Sequence, residues 1–308
     1  NIAYLTPVVA DGKVYVQRTS GTAGGEAAEV NEFACFDITS GVKLWSFATP
    51  SAINLPIIAY GNLYFVVSST LYCLGDGTAA WDQFTGGEGQ TLANTPTYGV
   101  ANTLSPVTDI SFPRWNYTTN GPITGSAVAD NGKLYFGSND YSLYCIDAGT
   151  GAKIWSYTTG YRVRSTPFVI NGRVYLGPDD GNVYCFNADT GAKIWNKTLT
   201  KTVDAFFTPA WQVRSSAIVS GSVLYVGCLD GQVYALNIND GSIKWTSNCS
   251  NTAAPIGGTP LIANNTLYIA SGNGSLISMN ISTGVHNWRT TLGSSRAFVS
   301  TPVVYNGT

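Results

Sequence analysis

Residues 134–155 read LYFGSNDYSLYCIDAGTGAKIW, and residues 174–195 repeat the phrase as VYLGPDDGNVYCFNADTGAKIW. The two closing tryptophans are 40 residues apart, and in five copies along the chain an Asp or Asn precedes the tryptophan by eight residues. These pairs are Asp37 with Trp45, Asp147 with Trp155, Asn187 with Trp195, Asn237 with Trp245 and Asn280 with Trp288. Self-similarity at this period is typical of a repeat fold in which each repeat is one supersecondary unit.

Each repeat reads as four short strands. In residues 166–195 a Thr-Pro pair opens the first strand, and the turn at Asn171 and Gly172 leads to a second strand around Tyr175. Such turn residues accept the positive φ that tight hairpins need. The apolar spacing of 3.6 residues that a helical repeat would show is absent. We therefore expect an all-β fold, a β-propeller of four-stranded antiparallel blades.

The tryptophan spacing predicts a single propeller domain over residues 1–308, with six full blades and part of a seventh; eight blades are the alternative. The predicted blades cover residues 5–50, 55–86, 121–160, 161–201, 212–251 and 256–294, with the partial blade at 298–308. Residues 86–120 lack the repeat phrase and are expected to be irregular. Residues beyond Thr308, residues 114–119 or another copy are the three candidates for completing the last blade.

The repeated tryptophans are interpreted as structural docks rather than as a ligand platform, because they share one phase of the repeat. An indole can bury up to about 250 Å² on the Thr-Gly turn of a neighbouring blade, with its N–H on a backbone carbonyl. Asp or Asn caps that turn, and Gly admits the ring. The predicted docking residues are Trp45, Trp81, Trp155, Trp195, Trp245 and Trp288, with Gly41, Gly151, Gly191, Gly241 and Gly284.

Four of the six cysteines share one repeat position, which Ala235 and Ser278 occupy in later repeats. The four are Cys35, Cys73, Cys145 and Cys185. A position that accepts Cys, Ala and Ser is typical of a small buried residue, and equivalent sites in different blades lie too far apart for a disulfide. Cys228 and Cys249 fall outside this pattern and are a candidate disulfide pair. No CxxC spacing indicates zinc.

Composition limits the function classes. Charged residues are 11% of the chain and the net charge is −2, so there is no basic surface for nucleic acid. No apolar run reaches the roughly 20 residues that span a bilayer. Seven glycosylation sequons occur, at Asn116, Asn196, Asn248, Asn264, Asn273, Asn280 and Asn306. Few charges together with several sequons favour a secreted or cell-surface glycoprotein.

The phrase Tyr-Cys-(Ile/Phe)-(Asp/Asn), followed by Thr-Gly and the tryptophan, resembles the docking repeat of the pyrroloquinoline-quinone (PQQ)-like β-propeller superfamily over residues 5–308. That superfamily includes quinoprotein alcohol dehydrogenases and the propeller lipoproteins of outer-membrane assembly. Residues 81–84 and 114–119 are similar to the lead-in before the first blade of many secreted members. This likeness implies that the chain is one section of a longer protein.

For the enzymes of the superfamily, the resemblance implies a quinone on a tryptophan floor, Ca²⁺ held by Glu, Asn and Asp, an Asp base and a vicinal disulfide. This chain has no adjacent cysteines, and its four glutamates are Glu26, Glu29, Glu32 and Glu88. The first three are weak candidates for Ca²⁺ ligands, with a solvated loop as the alternative. His286 is the single histidine, which argues against histidine triads and multi-histidine metal sites.

The sequence therefore predicts a non-enzymatic, extracellular propeller without a cofactor, which binds protein partners or itself. A repeating subunit of a cell-surface assembly or filament is the sharper hypothesis, because few charges favour close packing. One alternative is a PQQ-dependent dehydrogenase or a propeller that binds a small ligand or sugar. A further alternative is a scaffold of the outer-membrane-assembly type that adds peptide strands to its rim.

Overall fold

A computed structural model of the protein describes residues 7–10, 12–20, 30–49, 53–54, 56–75, 114–199, 212–249, 255–291 and 302. In these ranges all regular structure is β, in six four-stranded antiparallel sheets. The predicted fold class, a propeller of four-stranded antiparallel blades, is confirmed. No helix long and apolar enough to cross a membrane occurs in these ranges.

The strands of each sheet follow one another in chain order. Sheet one contains β1 (Val8–Ala10), β2 (Lys13–Ser20), β3 (Val30–Asp37) and β4 (Lys43–Thr49), and sheet two contains β5 (Ile57–Ala59), β6 (Asn62–Val67), β7 (Thr70–Leu74) and β8 (Trp115–Thr118). Sheet three contains β9 (Val128–Asp130), β10 (Lys133–Gly137), β11 (Ser142–Asp147) and β12 (Lys153–Thr158), and sheet four contains β13 (Phe168–Ile170), β14 (Arg173–Leu176), β15 (Asn182–Asn187) and β16 (Lys193–Thr198). Sheet five contains β17 (Ile218–Ser220), β18 (Val223–Gly227), β19 (Gln232–Asn237) and β20 (Ile243–Asn248), and sheet six contains β21 (Leu261–Ala263), β22 (Thr266–Ser271), β23 (Ser275–Asn280) and β24 (His286–Thr291).

Two-residue turns fix the register of the first hairpin in several sheets. In sheet four, Asn171 and Gly172 have φ values of 51° and 69°, and the hairpin pairs Ile170 with Arg173. Asn and Gly tolerate this left-handed backbone, which matches the twist of the flanking strands. The local sequence therefore sets which face each strand buries.

A bulge interrupts the outer strand in five sheets. In sheet three, Cys145 pairs with Trp155 and Ile146 pairs with Lys153, so Ile154 is an extra residue without a partner on β11. Sheets one, four, five and six show the same shift. A bulge bends an edge strand and breaks its ladder of hydrogen-bonding groups, which discourages the addition of further strands.

The fourth strand of sheet two corrects two sequence predictions. β8 pairs with β7, with Trp115 opposite Cys73 and Thr118 opposite Thr70. The blade predicted at residues 55–86 therefore takes its last strand from the stretch predicted to be irregular, and residues 114–119 belong to sheet two rather than to the last blade. The long insertion between β7 and β8 hid this strand, although its Trp-x-Tyr-Thr pattern matches that of β12.

In the described part of the chain, five hydrophobic clusters hold the sheets together, and each cluster joins two sheets that are consecutive in the chain. Cys73 and Cys145 are fully buried in two of them, in line with the need for a small residue between packed sheets. Among the residues that the structure describes, no cluster joins sheet six to sheet one. The core is thus a series of interfaces between neighbouring blades.

Candidate functional site

The contact of Trp155 with sheet four shows how one blade is fastened to the next. The indole Nε1 donates to the carbonyl oxygen of Ala188 over 2.9 Å, and the Tyr135 hydroxyl donates to the same oxygen over 3.2 Å. The two rings lie 6.0 Å apart at 51°. One carbonyl of sheet four therefore uses both of its lone pairs to hold a Trp–Tyr pair of sheet three.

Glycine provides the surface on which the indole lies. A Cβ atom on Gly191 would lie 2.6 Å from Cδ2 of Trp155, and the residue has φ +69°. Both facts exclude a larger residue, since side chains do not tolerate such a contact or favour such a φ. The Thr-Gly turn is therefore required by the tryptophan of the preceding blade.

Four interfaces share this contact. The indole Nε1 of Trp115 donates to Ala148 O over 3.1 Å, that of Trp195 to Ile238 O over 2.9 Å and that of Trp245 to Ile281 O over 3.2 Å. The hydroxyl groups of Tyr64, Tyr175 and Tyr225 donate to these same three oxygens over 3.1, 3.4 and 3.2 Å. Rings of the tryptophans cover Gly151, Gly241 and Gly284.

The Asp or Asn that begins each turn holds it in shape. Oδ1 of Asn187 accepts hydrogen bonds from the N–H groups of Asp189 and Thr190 and from the Thr190 hydroxyl. The N–H of Gly191 then donates to the Asn187 carbonyl over 2.9 Å. Asp37 makes the equivalent bonds, and its hydrogen bonds from Ser40 lower the pKa of its carboxyl group. The turn is thus held by hydrogen bonds among its own residues, in addition to the contact with the tryptophan.

Not every predicted docking residue that the structure describes takes part in a contact between a tryptophan and a turn. Trp45 packs on the rings of Tyr15 and Phe33. No described atom lies within 4 Å of a Cβ on Gly41, and Trp288 is 44% exposed. Trp81 lies outside the described residues. Trp115, which the sequence analysis did not include among the docking residues, makes the contact with Ala148 and Gly151.

An ion cluster that the sequence analysis missed lies beside sheet four. The side chain of Asp179 is buried, and its carboxylate lies 3.4 Å from Nε of Arg164 and 3.2 Å from Nε of Arg214. Asp179 follows β14, whereas the arginines precede β13 and β17, so the cluster ties together the loops of sheets four and five. Each arginine stands directly before a serine at the same position of the repeat. An alignment of the repeats against one another shows this pair of arginines.

All six cysteines are free and buried in the structure. The thiols of Cys228 and Cys249, the candidate disulfide pair, each lie against a backbone carbonyl instead, with Sγ 3.6 Å from Gln212 O and 3.8 Å from Ser247 O. Burial raises the pKa of the Cys249 thiol to about 12 and raises that of Cys228 as well. Such thiols are poor nucleophiles, because the thiolate is the reactive form.

The two remaining candidate residues that the structure describes, Glu32 and His286, lie in different sheets. Glu32 pairs with Lys43 over 3.3 Å, whereas Glu26, Glu29 and Glu88 lie outside the described residues. His286 faces the Ser247 hydroxyl over 3.1 Å, and burial and the charge of Arg289 lower its pKa. In the described part of the chain, no three His, Cys, Asp or Glu side chains are grouped to hold a metal ion.

Most of the sequon asparagines are on the surface. Five are exposed, namely Asn116, Asn196, Asn248, Asn264 and Asn280. Asn273 is partly buried, with Oδ1 accepting the N–H of Ser275, and Asn306 lies outside the described residues. Asn280 also caps its turn through Oδ1. The exposed positions lie on outer strands and turns, where a glycan has room.

The repeat, the blades and the docking contacts together define a tryptophan-docking β-propeller. The family described as outer membrane protein assembly factor BamB matches residues 3–86 and 75–305. The chain therefore belongs to this family of PQQ-like repeats. No curated protein sequence matches it significantly.

Solved structures share the fold at low sequence identity. BamB from Moraxella catarrhalis is 15% identical with a TM-score of 0.63, over 94% of this chain and 74% of that chain. Quinohemoprotein alcohol dehydrogenase ADHIIG from Pseudomonas putida HK5 is 18% identical with a TM-score of 0.53, over 77% of this chain and 41% of the dehydrogenase. The computationally designed Ika8 protein is 12% identical with a TM-score of 0.55, over 97% of this chain and 90% of that chain.

The docking contact predicts a difference between two glycines with the same backbone conformation. Gly172 and Gly191 both have φ +69°, but only Gly191 lies under an indole. Gly172→Ala should cost about 1–2 kcal/mol of unfolding free energy, from backbone strain. Gly191→Ala should cost a further 1–3 kcal/mol or so, because the new methyl group displaces Trp155. Urea unfolding of both variants measures the difference, and equal losses would contradict the contact.

Burial of phenols and thiols predicts a loss of stability at alkaline pH. Burial raises the pKa of Tyr60 and Tyr175 to about 12 and that of Cys73 to about 12. Because unfolded tyrosine ionises near pH 10 and cysteine near pH 9, these groups stabilise the fold fully below those values. Their contribution is lost as the pH rises through about 12.

The free energy of unfolding should therefore fall steadily between about pH 9 and pH 12. Urea titrations at several pH values in this range measure the free energy of unfolding. The absorbance of tyrosinate in the folded protein measures the ionisation of the tyrosines. Free energies that stay constant, or tyrosines that all ionise near pH 10 in the folded protein, would show that these side chains are accessible to water.

Proposed function

We propose that the chain is a non-catalytic, extracellular propeller that works as a protein-interaction and structural module. The observation that carries this proposal is an exposed apolar side chain on the outer, rim strand of three blades. Leu44, Ile154 and Ile194 occupy the bulge of three sheets and are 47%, 43% and 44% exposed. Single exposed apolar residues are ordinary, but here they recur at the bulge in three of the five bulged sheets, whereas sheets five and six have Lys244 and Asn287 there.

The bulge makes these apolar side chains available for contact with a partner protein. Because Ile154 has no cross-strand partner on β11, its side chain stands on the outer edge of the sheet. The same bulge interrupts the backbone ladder that an added strand would need. A partner on this rim is therefore held by apolar side chains, which disfavours the scaffold that adds peptide strands.

Low charge supports contact between proteins. With 11% charged residues and a net charge of −2, the surface has little electrostatic repulsion to overcome when copies approach one another. The exposed sequon asparagines favour an extracellular location. The name of the matched family, an assembly factor, supports a role in binding other proteins. A repeating subunit of a cell-surface assembly is the sharper form of this proposal.

The chemistry of the described side chains also supports a non-catalytic role. The buried carboxylate of Asp179 is held between two guanidinium groups. The thiols of Cys145 and Cys185 are fully buried, and burial raises their pKa to about 12 and 11. A thiol nucleophile needs an adjacent base or a lowered pKa, whereas burial raises the pKa of both of these thiols.

The first test is the state of the native protein. Intact mass and negative-stain microscopy of native material should show glycosylated protein in ordered assemblies or with bound protein partners. Particles that correspond only to isolated, partner-free chains would overturn the proposal. Treatment with a glycosidase before mass measurement separates attached glycans from additional polypeptide.

The second test separates this proposal from the enzyme alternative. The purified chain, mixed with PQQ and Ca²⁺, should give no dye-linked oxidation of primary alcohols and no saturable binding of the quinone. An active quinoprotein alcohol dehydrogenase assayed in parallel provides the control. Turnover that depends on both PQQ and Ca²⁺ would establish the enzyme instead.

A further inference from the structure

Two tyrosines at one end of sheet three form an exposed aromatic pair. Tyr141 lies in the turn between β10 and β11, and Tyr161 lies in the loop between β12 and β13. Their ring centroids are 5.2 Å apart and the ring planes differ by 17°, so the two rings are stacked. Tyr141 is 39% exposed, and Tyr161 is partly exposed. The pair therefore presents aromatic surface to solvent.

Tyr141 has a backbone conformation that tyrosine rarely adopts. Its φ is +74°, in the left-handed region that favours glycine. The residue directly before the third strand is glycine in sheets four, five and six, where Gly181, Gly231 and Gly274 have φ values of 78°, 83° and 77°. A bulky residue at such a φ is strained, and strain of this kind is concentrated at functional sites. Sheet three thus places an exposed ring at a position that the other repeats give to glycine.

Hydrogen bonds hold the turn of Tyr141 and the loop of Tyr161 together. The Thr159 N–H donates to the Tyr141 carbonyl over 2.8 Å. The Thr159 hydroxyl lies 2.8 Å from this same oxygen and 2.7 Å from the Tyr161 carbonyl. The Val163 N–H donates to the Ser138 carbonyl over 3.0 Å. The backbone positions of both tyrosines are therefore fixed by bonds within the protein, which lowers the cost of binding a ligand.

Both neighbours of sheet three are in place around this pair. The chain is described without a gap from residue 114 to residue 199, and sheet three packs on sheet two and on sheet four. Its docking turn is covered by Trp115, and its own Trp155 is docked on sheet four. The two tyrosines are therefore exposed on a blade whose contacts with both adjacent blades are complete.

Polar groups accompany the two rings. The guanidinium carbon of Arg162 lies over the Tyr161 ring, 5.6 Å from its centroid, where the negative ring face attracts a cation. Among the described residues, neither this guanidinium nor the two phenol hydroxyl groups have a hydrogen-bond or ion-pair partner. Oδ1 of Asn139, two residues before Tyr141, is buried and accepts no hydrogen bond. We call these four residues the tyrosine platform.

We propose that the tyrosine platform binds the pyranose rings of a neutral oligosaccharide. The C–H face of a pyranose packs on an aromatic ring because the ring face is negative and the C–H hydrogens are slightly positive. Its hydroxyl groups donate and accept hydrogen bonds, so they match the guanidinium, the phenols and the unpaired amide oxygen. This inference goes beyond the proposed function and does not depend on self-association.

The polar groups favour a saccharide over other ligands of aromatic surfaces. Proline-rich peptides also dock on tyrosine rings, but proline has no backbone N–H. A run of prolines therefore offers no donor to Asn139, whose unpaired oxygen costs free energy. An acidic saccharide is disfavoured because residues 138–141, 159–167 and 177–181 have no excess of positive charge. Their charged residues are Arg162, Arg164, Asp140, Asp179 and Asp180.

The test uses Tyr141→Gly, which gives sheet three the glycine of the other repeats. The variant loses one ring of the platform, and glycine adopts a φ of +74° without strain. Saccharide binding should weaken at least about tenfold, whereas the urea midpoint should stay the same or rise. Saturation-transfer NMR with cellohexaose and with chitohexaose measures the binding. A tyrosine that serves only to pack the blade would instead lower the urea midpoint when it is removed.

Three further variants serve as controls. Tyr141→Phe keeps the ring and should keep most of the binding, whereas Tyr161→Ala removes the second ring and should weaken it. Tyr268 of sheet six is also partly exposed beside another aromatic ring, that of Trp288. Tyr268→Ala should therefore leave saccharide binding unchanged. Urea unfolding of each variant shows that the protein compared is folded.

The source of the saccharide is separated by a second set of ligands. Glycans released from native material by a glycosidase represent saccharides attached to protein, and the two hexaoses represent free polysaccharide. Binding of either kind that Tyr141→Gly abolishes would establish the site. Equal binding by the wild type and Tyr141→Gly, or no binding of any of these saccharides, would overturn it. Binding of decaproline or of hexagalacturonate in their place would overturn it as well.

Discussion

One backbone carbonyl at each of four blade interfaces sets most of the requirements on this chain. A carbonyl oxygen has two lone pairs, and in sheet four Ala188 uses them for an indole and a phenol of sheet three. To bring both donors to one atom, the turn must present its carbonyl outward, the ring must lie flat on glycine, and an Asp or Asn must hold the turn. The Asp or Asn, the Thr-Gly pair and the tryptophan of the repeated phrase meet these three requirements.

The docking contact of Trp155 also limits the size of the residue opposite it on the neighbouring strand. Trp155 stands opposite Cys145 on the neighbouring strand, and the thiol is fully buried. A larger side chain at this position would push the sheets apart, because protein interiors are packed to near-crystalline density. The adjacent bulge leaves Ile154 without a partner on β11, and this side chain is 43% exposed. The docking residue Trp155 and the exposed bulge residue Ile154 are therefore adjacent in the sequence.

The sequence predicted those parts of the molecule that depend on local spacing. The blades, the turns and the role of Trp155 or Trp195 follow from residues close together in the chain. The long insertion before Trp115 removed that spacing, and the fourth strand of sheet two was missed. The contact of Tyr135 with Ala188 spans 53 residues, and Asp179 meets arginines from two different loops. Such contacts arise only when neighbouring blades are packed, so periodicity alone does not reveal them.

The docking contacts also have a consequence for how the chain folds. Each of the four docked indoles reaches a carbonyl only 33 to 43 residues away, and in the described part of the chain every hydrophobic cluster joins neighbouring sheets. Stability is then close to a sum over nearest neighbours, as in linear repeat proteins. Order can begin at any interior blade pair and spread in both directions.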